Sequence, residues 1–271
     1  MARTAGCSRI RGLELILPHA GCALPCNGEH PLTSFNYKIR TGLAGLWAAI
    51  VTVIVFVVSL VTWGHTFSGW LYARMLGGVG MLILGIRIKI SGKENLPSEP
   101  SVILVNHQSN FDAFFLGTLF PKRTVVIAKR QMLKVPLFGI ILQASRNILV
   151  DREDAASAKK SIKDAITAVQ EDKNNIFIFP EGTRSKGRGL GKFKKGAFIM
   201  AIAAKAPIVP VVNQPMEHLM DPRQKMLKSG THEIRVLPPI QTRDLKFRDA
   251  DALLDQVEAL FQRELQKFAE T

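Results

Sequence analysis

The stretch SVILVNHQSNFDAFF, residues 101–115, joins an apolar run to a short polar segment and then to a second apolar segment. The first run is short and rich in β-branched residues, which is typical of a buried strand. Ser109 and Asp112 form an S-x-x-D capping box, which predicts a helix that begins at Ser109. The stretch therefore predicts a strand, a turn and a helix, with His107 in the turn.

His107 and Asp112 allow two interpretations. In the first, Asp112 only stabilises the first turn of the helix through the helix dipole, and His107 is an ordinary loop residue. In the second, the turn folds His107 back towards Asp112. The carboxylate then fixes the tautomer of the imidazole and leaves the other ring nitrogen free to accept a proton from a hydroxyl. No other histidine of the chain combines a preceding strand with an acid at such a distance.

From about residue 91 onwards, short β-branched runs alternate with helical patterns, which is typical of an α/β domain. Apolar residues recur at helical spacing over residues 152–173 and again in the C-terminal stretch from Leu253 to Leu265, so each is predicted to be an amphipathic helix. The predicted strands are residues 101–105, 124–128, 147–150, 175–179, 207–212 and 233–237.

Two apolar segments precede this domain. Residues 41–64 contain no charged residue, and a helix of about 20 apolar residues is long enough to cross the hydrocarbon layer. Residues 69–90 contain Arg74, so they form either the return arm of a hairpin or an amphipathic helix in the membrane interface. Basic residues flank the whole region on both sides, which puts both ends of a hairpin in the cytoplasm, whereas a single span would put the N-terminus outside.

The chain is therefore predicted to have three parts. Residues 1–40 form an irregular basic leader, residues 41–90 form a membrane-embedded helix or two-helix anchor, and residues 91–271 form the α/β domain. We expect a membrane protein whose α/β domain lies in the cytoplasm.

The formal charge of +14 favours an anionic partner, which could be nucleic acid, a membrane surface or a phosphorylated substrate. Nucleic acid is disfavoured, because the aromatic residues are mainly phenylalanines within apolar runs and no recognition motif is present. G-x-S-x-G, H-E-x-x-H and P-loop motifs are also absent from the sequence. Hydrolases and nucleotidases that depend on these motifs are therefore not indicated.

All three cysteines lie in the leader. His19, Cys22, Cys26 and His30 form an H-x2-C-x3-C-x3-H cluster that could ligate zinc, but its spacing lacks the split pairs of common zinc sites. We therefore expect an irregular leader and no bound metal or cofactor.

Four blocks in order carry a family resemblance. Asn106, His107 and Asp112 form an N-H-x4-D signature, which is followed by RNILVDR (146–152), FPEGTRS (179–185) and APIVPVV (206–212). This series resembles the glycerolipid acyltransferase family, and most closely its bacterial 1-acylglycerol-3-phosphate acyltransferases. The resemblance covers residues 65–240 and implies a mixed central sheet wrapped by helices. The second block often begins with glycine in the family, whereas this chain has Arg146.

The FPEGTRS segment also allows a prediction that does not depend on the family resemblance. Pro180 stops the strand ladder, and Gly182 permits a tight loop that turns Glu181 and Arg184 towards the same end of the sheet as His107. A planar guanidinium is suited to bidentate contact with a phosphate. The alternative is a polar loop whose arginine only faces solvent.

The resemblance implies an enzyme that transfers an acyl chain from acyl-CoA or acyl carrier protein (acyl-ACP) to the sn-2 hydroxyl of 1-acylglycerol-3-phosphate (lysophosphatidic acid), giving phosphatidic acid. His107 is then the general base, and Asp112 orients it. Arg184 and Arg152 hold the phosphate, and Glu181 orders Arg184 or binds the glycerol.

Within the same family resemblance, Gly182 and Thr183 mainly shape the loop, and the membrane is expected to be the bacterial inner membrane. A basic cluster follows the loop, and it is either a solvated surface or attracts anionic headgroups or the acidic acyl donor. The cluster consists of Lys186, Arg188, Lys192, Lys194 and Lys195.

Two alternatives stay open. The acceptor could be another lysolipid, such as a lyso-ornithine lipid or a lysophospholipid with a larger headgroup. The chain could also be a noncatalytic basic protein of the membrane surface, although the presence of all four blocks disfavours this.

Overall fold

The computed structural model of the chain describes residues 31–151, 154–185 and 187–270. The Cys/His cluster of the leader lies outside these residues, as do Arg152 and Lys186.

A helical hairpin opens the described chain. Residues 31–40, which are predicted to belong to an irregular leader, are helical, so the prediction is wrong over these residues. Helix α1 (Pro31–Val61) and helix α2 (Phe67–Leu84) are both long and apolar enough to cross a membrane. Because few residues of either helix are buried, the hairpin leaves an apolar face uncovered. On α1 this face consists of Phe35, Ile39, Leu43, Leu46, Ile50, Val53, Ile54, Val57, Leu60 and Val61, and on α2 of Phe67, Val79 and Leu82.

The helical interpretation of the second apolar stretch is wrong at its end. The helix ends at Leu84, where Gly85 adopts a left-handed conformation with φ of 66°. Residues 86–91 alternate apolar and polar side chains and form the first strand of the sheet. The alternation is only six residues long and directly follows an apolar helix, so the sequence pattern alone does not separate it from the membrane segment.

Nine strands lie within the described part of the chain. They are β1 (Ile86–Ser91), β2 (Val102–Val105), β3 (Thr124–Lys129), β4 (Ile148–Val150), β5 (Asn175–Ile178), β6 (Ile208–Asn213), β7 (Met220–Asp221), β8 (Met226–Leu227) and β9 (Gly230–Val236). The six strands predicted from the sequence are all confirmed.

Seven strands form one sheet in the order β1-β9-β6-β2-β5-β3-β4, and β7 pairs with β8 in a separate hairpin. The pairs within the large sheet are parallel, except that β6 and β9 are antiparallel. The sheet is therefore mixed, as predicted. The carboxyl ends of β2 to β6 meet at one edge, where β9 begins.

The remaining helices cover both faces of this sheet. They are α3 (Asp112–Gly117), α4 (Phe138–Ala144), α5 (Ala155–Gln170), α6 (Gly196–Ala204) and α7 (Ala250–Ala269), with short 3₁₀ helices at Lys93–Asn95, Arg130–Lys134 and Phe247–Asp249. Along β2, Val102 and Leu104 pack with α5, α6 and α7, whereas Ile103 and Val105 pack with α2 and α3. Both predicted amphipathic helices, α5 and α7, are confirmed.

Helix α2 packs against α3 at a contact that requires glycine. A Cβ on Gly77 would lie 2.6 Å from the backbone of Gly117, and a Cβ on Gly117 would lie 2.2 Å from the carbonyl oxygen of Ala73. Small residues permit such close approach of two helix backbones. The hairpin is therefore fixed directly to the helix that begins with Asp112.

Both ends of the hairpin contact the α/β domain. At the connection between its helices, the N–H of Gly64 donates to the carbonyl oxygen of Ala144 at 2.9 Å. At the other end, Arg40 on α1 donates to Ser229 Oγ at 3.2 Å. The hairpin therefore lies along the domain over its length and does not project away from it.

Arg146 has a left-handed backbone, with φ of 60°. Glycine adopts this conformation at little cost, whereas other L-residues are disfavoured there. This gives a physical reason for the glycine that the family often has at this position. In this chain the Arg146 side chain makes an ion pair with Asp172 at 3.1 Å.

Candidate active site

The candidate residues lie at the edge of the sheet where its parallel strands have their carboxyl ends. His107 follows β2, Glu181 follows β5, and Asn213 is the last residue of β6. Since β2 lies between β5 and β6 in the sheet, these three residues come from neighbouring strand ends. This is the edge at which open α/β sheets usually bind their ligands.

His107 and Asp112 contact each other, with 2.6 Å between His107 Nδ1 and Asp112 Oδ2. The same carboxylate oxygen accepts the backbone N–H groups of Gln108 at 2.6 Å and Ser109 at 3.0 Å. The Asp112 side chain is only 1% exposed, and a buried carboxylate is costly unless such donors satisfy it. A carboxylate acceptor requires the proton of a neutral imidazole to be on Nδ1, so Nε2 carries the lone pair.

The predicted start of the helix is wrong by three residues, because α3 begins at Asp112 and not at Ser109. Ser109 Oγ accepts the N–H of Phe111 at 2.9 Å, so residues 109–111 form a separate turn before the helix. One half of the capping box is present, since Asp112 does reach back to the N–H of Ser109. Two turns in succession, and not one helix, bring His107 to Asp112.

The imidazole of His107 stacks on Phe179, with ring centroids 4.0 Å apart and an angle of 19° between the planes. Its side chain is 21% exposed. No residue in the described part of the chain forms a hydrogen bond with Nε2. The ring is therefore held on one face and at Nδ1, while Nε2 is available to a hydroxyl.

The resemblance implies that Glu181 orders Arg184 or binds the glycerol. Among the described residues, however, Arg184 contacts Asn110, and the Glu181 carboxyl group positions the backbone of His107. Its Oε2 accepts the N–H of His107 at 2.8 Å, and the N–H of Ser185 donates to the carbonyl oxygen of His107 at 2.9 Å. Gly182 makes the tight loop possible with φ of 72°. The loop after β5 thus holds the turn after β2 through hydrogen bonds to both the N–H and the carbonyl oxygen of the candidate base.

Arg184 is exposed and donates through Nη1 to Asn110 Oδ1, so the structure brings it to the turn that carries His107. Thr183 is exposed in the same loop. Arg188, Lys192 and Lys194 of the predicted basic cluster are also exposed, and Lys195 pairs with Asp251 at 2.6 Å. Arg152 lies outside the described residues, so its predicted place in the site stays a prediction.

Asn106, Gln108 and Asn213 hold the site together, and of these only Asn106 belonged to a sequence motif. Asn106 exchanges two hydrogen bonds with the backbone of Asn213, at 2.9 Å and 2.7 Å. Gln108 donates to the carbonyl oxygen of Asn213 at 2.7 Å and accepts the N–H of Met216 at 3.1 Å. An amide side chain directly after an apolar strand is the signal in the sequence that could have identified Asn213.

A cleft of about 400 Å³ adjoins this turn. It lies between the loop after β5 and the C-terminal half of α7, and its lining includes Gln108, Glu181, Leu190, Gln262 and Leu265. The cleft thus offers both amide and apolar groups next to the backbone of the His107 turn.

The family described as Acyltransferase matches residues 87–214 of this chain, which include the His107 turn, the loop after β5 and Asn213. The 1-acyl-sn-glycerol-3-phosphate acyltransferase of Limnanthes douglasii is 33% identical over 204 residues, covering 73% of this chain and 70% of that protein.

The corresponding protein of Saccharomyces cerevisiae is 37% identical over 178 residues, covering 65% of this chain and 59% of its own length. The Bos taurus alpha form is 34% identical over 176 residues, covering 65% and 61%. The chain thus spans less than two thirds of the length of the yeast and bovine relatives.

A solved structure shares the fold. The crystal structure of the 1-acyl-sn-glycerophosphate (LPA) acyltransferase PlsC from Thermotoga maritima matches with a TM-score of 0.70 and 19% identity. The match covers 89% of this chain and 98% of that one, so it includes a mixed sheet and its surrounding helices.

Glu181 gives the first testable prediction. Burial raises the pKa of its carboxyl from the ordinary 4.5 to about 8, although the N–H of His107 opposes the shift. The unfolded chain therefore releases this proton at lower pH than the folded chain, and stability is lost as pH rises from about 4.5 to 8. Glu181→Gln keeps an acceptor for His107 but does not titrate, so its melting temperature should fall less over this range.

Thermal unfolding at several pH values between 5 and 8, in one detergent, measures this difference. Glu94→Gln makes the same change at an exposed position and should follow the parent protein. Identical pH slopes for Glu181→Gln and the parent would contradict the neutral, buried carboxyl.

Proposed function

The chain belongs to the family of the 1-acyl-sn-glycerol-3-phosphate acyltransferases, and from this membership we propose that it transfers an acyl chain to the sn-2 hydroxyl of 1-acylglycerol-3-phosphate. The donor is an acyl thioester, acyl-CoA or acyl-ACP, and the product is phosphatidic acid. The observation that carries the proposal is the 2.6 Å contact between His107 Nδ1 and Asp112 Oδ2, which leaves Nε2 open.

The chemistry follows from that geometry. His107 Nε2 accepts the proton of the sn-2 hydroxyl while the oxygen attacks the thioester carbonyl. Asp112 stabilises the imidazolium that forms. The tetrahedral intermediate collapses, the C–S bond breaks, and the imidazolium returns its proton to the leaving thiolate. The acyl group is thereby exchanged between sulfur and oxygen, and His107 regains its neutral form.

We propose direct transfer without an acyl-enzyme intermediate. A covalent route needs a serine or cysteine beside a base. The cysteines of the chain all lie in the leader, and within the described residues no serine hydroxyl forms a hydrogen bond with His107 Nε2. The lipid hydroxyl is thus the nucleophile that His107 activates.

Arg184 is the proposed contact for the acceptor phosphate, with Arg152 as its partner. Arg184 is exposed and its Nη1 touches Asn110, three residues after His107. A phosphate bound there lies close to the base, and a glycerol backbone separates a phosphate from the sn-2 hydroxyl by only a few bonds. Glu181 supports the turn through His107, and Gly182 and Thr183 shape the loop that carries Arg184.

The donor is proposed to approach over the basic surface. Arg188, Lys192 and Lys194 are exposed beside the loop after β5, and both CoA and acyl carrier protein are acidic partners that such a surface attracts. The cleft beside Gln108 and Gln262 is the proposed route for the donor arm.

The hairpin is proposed to anchor the enzyme to the cytoplasmic side of the bacterial inner membrane. Gly64 and Arg40, near its two ends, both contact the α/β domain. A hairpin that crossed the whole bilayer would carry part of that domain into the hydrocarbon. An anchor that enters one leaflet with its apolar face fits these contacts, and the α2–α3 contact then keeps the His107 turn near the headgroups.

His107→Ala tests the proposal. General-base help is typically worth about 10² to 10⁴ in rate, so kcat for acyl transfer should fall by that factor while the protein still floats with liposomes. Mass spectrometry of lipids, with a panel of lysolipids and both donors, measures the products.

His65→Ala removes an exposed histidine from the hairpin connection and serves as the matched control. Near-normal turnover of His107→Ala would overturn the mechanism. Products formed only from a different lysolipid would assign another acceptor.

Arg184→Ala tests the phosphate contact. Loss of a charge-assisted hydrogen bond costs about 1.5 to 3 kcal/mol, so the KM for lysophosphatidic acid should rise roughly ten- to hundredfold. The KM for acyl-CoA should change much less, as initial rates at varied concentration of each substrate would measure.

Arg248→Ala removes one exposed positive charge from the segment before α7 and separates this local effect from that of net charge. If Arg184→Ala leaves the KM for lysophosphatidic acid unchanged, its phosphate is held elsewhere or the acceptor is a different lipid.

A further inference from the structure

His232 is a fully buried histidine on β9, and its exposed fraction is 0%. Its Nε2 lies 2.7 Å from Asn213 Oδ1, whereas its Nδ1 is buried without a hydrogen-bond partner in the described structure. Buried polar groups are normally satisfied, so this unpaired nitrogen calls for a physical reason. Strand β9 pairs with β6, the strand that ends at Asn213, so the His232 ring lies one strand further along the sheet than the candidate active site.

Asn213 connects His232 to Asp112. Its Nδ2 lies 3.5 Å from Asp112 Oδ1, a long contact between two buried groups. Asp112 Oδ2 is already used by His107, Gln108 and Ser109. Among the described residues, Asn213 is therefore the group that faces the second oxygen of this carboxylate.

The chemistry of the three side chains fixes the direction of donation. An ionised carboxylate only accepts, so the group that faces Asp112 Oδ1 must be the NH₂ of Asn213. The carbonyl oxygen of that amide then faces His232, which must carry its proton on Nε2. A neutral imidazole has one proton, so Nδ1 is left bare. The orientation that Asp112 imposes thus makes Nδ1 the unprotonated nitrogen, an acceptor to which no described residue donates.

We propose that His232 is a positioning residue, which locks the Asn213 amide so that Asp112 stays directed at His107. This inference rests on the proposed function, because it concerns the carboxylate of the same catalytic pair. The order of contacts is His232 Nε2 to Asn213, Asn213 Nδ2 to Asp112, and Asp112 Oδ2 to His107 Nδ1. Without the His232 donor, the amide can rotate and turn its oxygen towards Asp112.

His232 fits this role because it does not titrate near neutral pH. Burial lowers its pKa from 6.5 to about 3, with a further contribution from His218, whose ring is 6.3 Å away. It therefore acts as a fixed neutral donor and not as a second base.

A packing role is the competing explanation. The His232 ring also stacks on Phe115, with centroids 4.2 Å apart, and Phe115 lies on α3 one turn after Asp112. His232 could therefore support Asp112 only by supporting the helix. Any test has to separate the hydrogen bond from the stack.

Two substitutions of His232 make that separation. His232→Phe keeps a ring of similar size against Phe115 and removes the donor. His232→Gln removes the ring and keeps an N–H donor three bonds beyond Cβ, where histidine has Nε2. We expect His232→Phe to lower kcat about tenfold with the KM for lysophosphatidic acid within twofold, and His232→Gln to recover most of kcat.

Asn213→Ala completes a double-mutant cycle. If His232 acts through Asn213, adding His232→Phe to Asn213→Ala should change kcat little further. Unchanged turnover in His232→Phe would overturn the proposal. So would equal losses in His232→Phe and His232→Gln, or losses that simply multiply with Asn213→Ala, because each indicates packing alone.

A readout without substrate keeps this test separate from the proposed function. In ¹⁵N-histidine NMR spectra of the protein in detergent, the His107 Nδ1 proton should shift or exchange faster in His232→Phe and remain near its parent position in His232→Gln. An unchanged signal in His232→Phe would overturn the positioning role. If the parent protein acylated no lysolipid, the proposed function would fail, and the spectra would still decide whether His232 holds the pair.

Discussion

The buried carboxylate of Asp112 is the constraint on which the rest of the site depends. Its side chain is 1% exposed, and the free energy cost of burying its charge is offset only if donors surround it. His107, Gln108 and Ser109 supply donors to one oxygen at 2.6 to 3.0 Å, and Asn213 faces the other. Each donor must be held in place by the fold, so the residues that hold these donors are constrained as well.

The sheet and the hairpin meet this requirement together. The ends of β2, β5 and β6 bring the His107 turn, Glu181 and Asn213 side by side. On the other side, α2 holds α3 through the contact between Gly77 and Gly117. The apolar hairpin therefore packs directly against the helix that begins at Asp112. This arrangement connects the apolar hairpin to the candidate active site through packed backbone, as the proposed function at a membrane surface requires.

Local sequence pattern was sufficient for much of this fold. Six β-branched runs and two amphipathic patterns predicted strands and helices that the structure confirms, and H-x4-D together with FPEGTRS pointed to one edge of the sheet. The sequence pattern did not predict the features that depend on tertiary contacts. The strand Ile86–Ser91 depends on pairing with β9, some 140 residues later. The contact between Asp112 and Asn213 spans 101 residues, and the left-handed backbone of Arg146 has no local signal.

The most direct test of the central claim is the turnover number of Asp112→Asn, measured with lysophosphatidic acid and acyl-CoA in liposomes. The amide cannot accept hydrogen bonds from His107, Gln108 and Asn213 together, so His107 should lose the tautomer with a free Nε2. We expect kcat to fall by roughly 10³ to 10⁴, with acceptor KM and liposome binding little changed. Turnover within a few-fold of the parent protein would contradict the central role of this carboxylate.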